Sequence, residues 1–122
     1  STRHSVHRNE VLPVALSQFG CAWRQMALDG LEAIGRPSRL AYASSNSVAI
    51  TSAVLAGLAI AAIPEICMRP GIRVLSEAEG FPPLGMFDIG LIRSSKSNAA
   101  SDSLACHIAE AMCQLTPAVA AE

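Results

Sequence analysis

The sequence predicts an α/β fold built on a parallel β-sheet. Apolar segments that favour β-structure alternate with segments of helical periodicity between residues 11 and 63, in the order strand, helix, strand, helix, strand. The strand segments show little alternation of polar and apolar residues, which is typical of a sheet covered on both faces. Short βα units in this order form parallel sheets with right-handed crossovers.

The first strand is predicted over residues 11–16, where the sequence VLPVAL is apolar and rich in β-formers. Pro13 has no N–H to give to a neighbouring strand, so we expect this strand at or near an edge of the sheet. A turn follows, and residues 21–34 form the first helix. Their apolar side chains recur at spacings of three and four, at Trp23, Met26, Ala27, Leu31 and Ile34. Gly35 is a candidate left-handed cap.

The second strand is predicted over residues 39–43, and the run Ser44-Ser45-Asn46-Ser47 after it offers helix caps. The second helix begins at Val48 and ends near Gly57, and a third strand over residues 58–63 is closed by Pro64. The apolar run from Val48 to Ile63 has sixteen residues. A membrane-spanning helix needs about 20, so we expect no membrane association.

Three further elements are predicted after Pro64: a strand at residues 72–75, a strand at 86–93 and a helix at 99–115. Residues 76–85 contain two prolines and two glycines, which predicts a loop. Ser101 or Asp102 is the candidate cap of the last helix. We expect the tail, residues 116–122, to fray.

Composition limits the function classes. A chain of 122 residues forms one domain at most, and 51% hydrophobic against 16% charged residues excludes intrinsic disorder. Nine Lys and Arg against ten Asp and Glu give a formal net charge of −1. Such a balance provides no broad positive field for the phosphates of nucleic acid, so we do not expect this part of the protein to contact DNA itself.

Cysteine and histidine usage argues against metal and enzyme chemistry. The four cysteines include no CxxC pair and no signal peptide opens the chain, so we expect a reduced, cytoplasmic protein. His4 and His7 have no cysteine or carboxylate cluster beside them, and we predict no metal site and no cofactor. Cys21 begins a helix, where a thiol is activated, but no general base is visible near it. We therefore expect no enzymatic activity.

Two polar loops form the candidate binding site. The carboxyl ends of parallel strands meet at one edge of the sheet, where helix amino termini present N–H groups and partial positive charge. Such an edge suits a small anion, such as a carboxylate. Helix capping alone is the alternative explanation for these residues. The candidates are Ser17, Gln18, Phe19, Gly20, Cys21, Arg24, Ser44, Ser45 and Asn46.

Several short motifs carry a family resemblance. They are Gly20-Cys21 with Trp23-Arg24, Gly35-Arg36-Pro37, Ser44-Ser45, and AVLAGLAI from Ala53 leading to Ile63-Pro64. In this order and spacing they resemble the effector-binding domain of LysR-type transcriptional regulators, over roughly residues 11–114. The resemblance implies a two-lobed domain of the periplasmic-binding-protein-like type 2 architecture, each lobe Rossmann-like.

The resemblance also implies how the chain divides. Residues 1–10 are a polar opening segment, and residues 11–63 are the second lobe with its βαβαβ order. Residues 64–115 cross back to complete the carboxy-terminal part of the first lobe, and residues 116–122 are the tail. The winged helix-turn-helix of the family has no counterpart in these residues, so DNA binding is expected only through a domain outside this sequence.

In this family, the two lobes hold a small effector, commonly a carboxylate or other anion, and a homodimer or homotetramer couples its binding to transcription. The family's pocket positions fall here on Ser17–Cys21, on Ser44–Asn46, and on Ile63 and Pro64. A solute-binding protein for the transport of a small anion is the alternative, because it shares the two-lobed architecture.

Overall fold

The computed structural model describes residues 1–86 and 89–114. Two compact units are formed, with the boundary between Gly85 and Met86. The first unit contains β1 (Leu12–Leu16), α1 (Ala22–Ala33), β2 (Ser38–Ala43), α2 (Ser47–Leu55) and β3 (Ile60–Ala61), with 3₁₀ turns at Val6–Arg8, Glu65–Cys67 and Glu77–Glu79. The second contains α3 (Ala99–Gln114).

The three strands form a parallel sheet in the order β2-β1-β3, which confirms the predicted α/β fold. Pro13 is expected to place its strand at or near an edge, and the structure places β1 in the centre, next to both edge strands and not at an edge itself. The Leu12 N–H donates to the Pro37 carbonyl on the β2 side at 2.9 Å. The nitrogen of Pro13 therefore faces the opposite side, where pairing with β3 begins only at Val14. No strand partner is lost at the proline, so it is tolerated there.

Helices on both faces bury β1 completely. The cluster on the α1 face consists of Leu12, Val14, Leu16, Ala27, Leu31, Ala62 and Phe81. The cluster on the α2 face consists of Ala15, Ile50, Ala53 and Ala59. The second set is mostly alanine, which lets α2 approach the sheet closely.

Glycine ends both helices of the first unit as the sequence predicts. Gly35 has φ +65° and Gly57 has φ +70°, the left-handed region that favours glycine. The N–H of Arg36 donates to the Leu31 carbonyl at 2.9 Å and the N–H of Leu58 to the Ala53 carbonyl at 3.0 Å. These are the bonds of a Schellman motif, which satisfies carbonyls at the helix ends.

Several predicted elements differ from the structure. Residues 72–75 form no strand, and β3 is limited to two residues of the predicted 58–63. Residues 86 and 89–93 also form no strand, while Phe87 and Asp88 lie outside the described residues. The predicted loop at 76–85 contains the 3₁₀ turn Glu77–Glu79. The tail at 116–122 lies outside the described residues as well.

The last helix is confirmed as far as Gln114, but its cap differs from the prediction. Asn98 Oδ1 accepts a hydrogen bond from the Ser101 N–H at 3.0 Å, and the Asn98 N–H donates to Ser101 Oγ at 2.8 Å. This reciprocal pair makes Asn98 the cap and Ser101 its partner one turn into the helix. Asp102 instead accepts a hydrogen bond from Arg93. Within the described residues, no helix is long and apolar enough to cross a membrane.

Candidate functional site

The loop after β1 is held by side chains from the first turn of α1. Trp23 Nε1 donates to Ser17 Oγ at 3.2 Å, and an Arg24 Nη donates to the Ser17 carbonyl at 3.0 Å. Arg24 is thereby fixed at the carboxyl edge of the sheet. A guanidinium carries five N–H donors, so this bond leaves further donors of Arg24 for an anion.

The loop after β2 lies directly beside the loop after β1. The Ser44 N–H donates to the Leu16 carbonyl, the last residue of β1, at 3.1 Å. Ser44 Oγ accepts from the Asn46 N–H at 3.1 Å, and Asn46 Oδ1 accepts from the Val48 N–H at 2.8 Å. Asn46 is therefore the cap of α2, and both it and Ser44 are used to build the helix start.

Ser45 differs from its neighbours. Its side chain is exposed and makes no hydrogen bond within residues 1–86 and 89–114. The capping explanation thus accounts for Ser44 and Asn46 but not for the Ser45 hydroxyl. Of the serines and asparagine in this loop at residues 44–46, Ser45 is the one that can reach a ligand without giving up a bond within the fold.

The remaining predicted site residues occupy the same edge with different surroundings. Phe19 is 96% exposed, and Gly20 has φ +86° in the turn. The turn is closed by the Cys21 N–H donating to the Gln18 carbonyl at 3.4 Å. Ile63 and Pro64 follow β3, where Ile63 packs against the α2-face cluster and Pro64 precedes the 3₁₀ turn Glu65–Cys67.

A second polar cluster was not predicted from the sequence. Arg73 donates two hydrogen bonds to the Glu79 carboxylate, at 2.8 and 2.7 Å. His7 is buried beside this pair, with Nε2 3.6 Å from Glu79 Oε1 and 3.5 Å from an Arg73 Nη. Because 66 residues separate His7 from Arg73, no local sequence pattern signals the contact.

The cluster changes the pKa of two of its members. Hydrogen bonds from Arg73 and from the Ser76 N–H lower the pKa of Glu79 from 4.5 to about 2. Burial, followed by the positive charge of Arg73, lowers the pKa of His7 below its ordinary value of 6.5. The fold therefore favours ionised Glu79 and neutral His7. Acid opposes both preferences, so protonation of either group destabilises the folded state.

We expect the free energy of unfolding to fall as the pH falls from 7 to 2. His7 contributes from pH 6.5 downward, and Glu79 contributes between its ordinary pKa of 4.5 and its folded pKa of about 2. The variant Glu79→Gln should be less stable than the wild type at pH 7, and the two should converge near pH 2. Urea unfolding followed by the fluorescence of the single tryptophan measures this.

Glu77→Gln is the matched control, because Glu77 lies in the same 3₁₀ turn, is exposed, and forms no ion pair within the described residues. It should leave the pH dependence between 4.5 and 2 unchanged. A constant stability difference between wild type and Glu79→Gln across this range would contradict the role given to the Arg73–Glu79 pair.

Metal-binding geometry is not found in the part of the chain that the structure describes, where no three His, Cys, Asp or Glu side chains come close enough to share an ion. The ring of His4 lies instead against the backbone of Gly57. A Cβ added at Gly57 would overlap the His4 ring, so the absence of a side chain at this position makes room for the imidazole.

Comparison with known proteins finds a similar transcriptional regulator. No family model matches the chain. The HTH-type transcriptional regulator PecT of Dickeya dadantii (strain 3937) is 44% identical over 62 residues, which are 51% of this chain and 20% of that protein. The match thus covers about a fifth of the regulator's length.

Proposed function

We propose that the chain is part of the effector-binding domain of a LysR-type transcriptional regulator. The observation that carries the proposal is the 44% identity over 62 residues with the regulator of Dickeya dadantii. The parallel sheet with two polar loops at its carboxyl edge supports it, because this is where α/β proteins bind ligands. In this proposal residues 11–63 form one lobe, and residues 64–115 cross to the other.

A small anion, most simply a carboxylate, is the proposed effector. Residues 17–24 and 44–48 contain no Asp or Glu, and they include Arg24. They also precede or begin two helices, α1 and α2, whose amino termini carry partial positive charge. The Ser45 hydroxyl and the remaining Arg24 donors are the side-chain groups that would hold the anion, while Asn46 and Ser44 keep the loop in place.

The proposed mechanism is a shift in population. An effector that contacts both lobes binds the closed arrangement more tightly than the open one, and it can move the equilibrium only by that difference in affinity. A homodimer or homotetramer would pass the change to a helix-turn-helix domain outside this sequence, which contacts DNA. The chain acts by binding in this proposal, and no residue is assigned a catalytic role.

The test uses the complete regulator encoded by the same reading frame, with acetate, succinate and benzoate as probes. A carboxylate that binds the folded state raises the melting temperature, and at 100 times its Kd it stabilises the fold by about 2.7 kcal/mol. Ser45→Ala removes a hydrogen bond to a charged group, worth about 1.5–3 kcal/mol, so binding should weaken about 10- to 100-fold. Calorimetric titration measures the change in Kd.

Ser103→Ala is the control, since Ser103 is an exposed serine of α3 without a hydrogen bond in the described residues. It should leave the Kd unchanged. Asn46→Ala should lower stability by about 1 kcal/mol even without ligand, because it removes the cap of α2. Equal Kd values for wild type and Ser45→Ala would contradict the proposed site. A reading frame that encodes no helix-turn-helix would contradict the regulator itself.

A further inference from the structure

A cavity of about 290 Å³ lies on the α1 face of the sheet, within the first unit. Val14 and Leu16 of β1 line one wall, and Ala27 and Leu31 of α1 line another. Phe81 contributes an aromatic ring. The wall also includes exposed side chains, such as Leu84 at 40% and Val74 at 75% exposure, so the cavity opens to solvent.

The cavity is separate from the anion site proposed above. None of residues 17–24 and 44–46 lines it, although Ile63, one of the predicted pocket residues, does. We propose that this cavity is a second ligand site, for a compact, uncharged and mostly apolar compound with one polar group. The proposal does not depend on the regulator's proposed effector.

The apolar lining and the volume support this ligand class. The volume lies at the lower end of the range for small-molecule pockets, about 300–1,000 Å³, which suits one ring system or a short branched hydrocarbon. Val14, Leu16 and Leu31 border the cavity and are at most 7% exposed, so its deep wall is apolar. A ligand of matching shape adds van der Waals contacts to each of them and removes its own apolar surface from water.

The polar end of the cavity determines the charge of the ligand. His7 and Arg73 line this end, but the Arg73 guanidinium already gives two hydrogen bonds to Glu79. The charge of this guanidinium is therefore balanced by Glu79, so Arg73 offers no unpaired cation to a carboxylate. The His7 imidazole can donate or accept a hydrogen bond according to its tautomer. A hydroxyl or N–H group is the matching polar group on the ligand.

The test is an NMR titration of the full chain with indole, an uncharged ring with one N–H, and with benzoate as the charged comparison. Indole should shift the amide signals of Ala27, Leu31 and Phe81 in a saturable manner, and benzoate should not shift them at the same concentration. Ala27→Leu places a larger side chain in the cavity and should weaken indole binding at least tenfold. Ala33→Leu, the same change at an exposed position of α1, should leave it unchanged.

Three results would overturn the proposal: no saturable shift with indole, equal shifts with benzoate, or unchanged indole binding by Ala27→Leu. If Ala27→Leu does not fold, Gly30→Ala replaces it. Gly30 also lines the cavity, and its added methyl group would lie 3.3 Å from Leu84 Cδ2. This smaller change should weaken indole binding several-fold, and an unchanged Kd would again overturn the site.

Discussion

Replacing Leu12 with alanine is expected to lower the free energy of unfolding by about 2–5 kcal/mol. The Leu12 side chain is 0% exposed, in the central strand of the sheet. Its loss removes apolar burial and leaves a space that the neighbouring strands cannot fill, because they are fixed by pairing with β1. This is a large fraction of the stability of a small domain, so the variant should be largely unfolded at moderate temperature.

Leu40→Ala is the matched control for this experiment. Leu40 lies on the adjacent edge strand, pairs with Val14, and is 48% exposed. Its truncation should cost about 1 kcal/mol or less, because half of the side chain already contacts water. Urea unfolding monitored by Trp23 fluorescence compares the two. Equal losses would mean that β1 is not the centre of the core.

Local patterns were sufficient for much of the fold. The spacing of Ala27 and Leu31 predicts the buried face of α1, and both are buried. Gly35 and Gly57 predict the two helix ends, because a left-handed residue is needed there and glycine adopts it without strain. These features depend on a few neighbouring residues, so the sequence contains all the information that determines them.

Features that depend on distant residues could not be predicted. Pro13 is tolerated in a central strand only because β3 starts its pairing one residue further along. Ile72 and Val74 favour a strand by type, yet residues 72–75 form none, and Val74 is 75% exposed. A strand requires a paired neighbour, and no property of these four residues reports whether one is present.

The candidate site shows the same division. Parallel topology was enough to expect the loops after β1 and β2 at one edge, and the bond between Ser44 and the Leu16 carbonyl places them together. The sequence could not assign the roles within the loop, because serine and asparagine are all good caps. The structure is needed to distinguish them: the Asn46 side chain caps α2, whereas the Ser45 hydroxyl makes no hydrogen bond within the described residues.

Replacing Ala15 with leucine is the second change expected to have a large effect, with a loss of about 1–3 kcal/mol. Ala15 is 0% exposed and packs on the α2 face against Ile50, Ala53 and Ala59. The Ala15 side chain does not line the cavity. A larger side chain must therefore push α2 away from the sheet or adopt a strained rotamer.

The same substitution at Ala27 gives the decisive contrast. Ala27 is also buried, at 6% exposure, but its side chain borders the cavity, so leucine there has space to occupy. We expect urea unfolding to show a loss for Ala15→Leu and little loss or a gain for Ala27→Leu. Equal losses would mean that the two faces of the sheet are packed equally tightly, which would contradict the cavity. A loss of stability for Ala15→Leu without a loss for Ala27→Leu would show that the α1 face has space for a larger side chain, as a second ligand site requires.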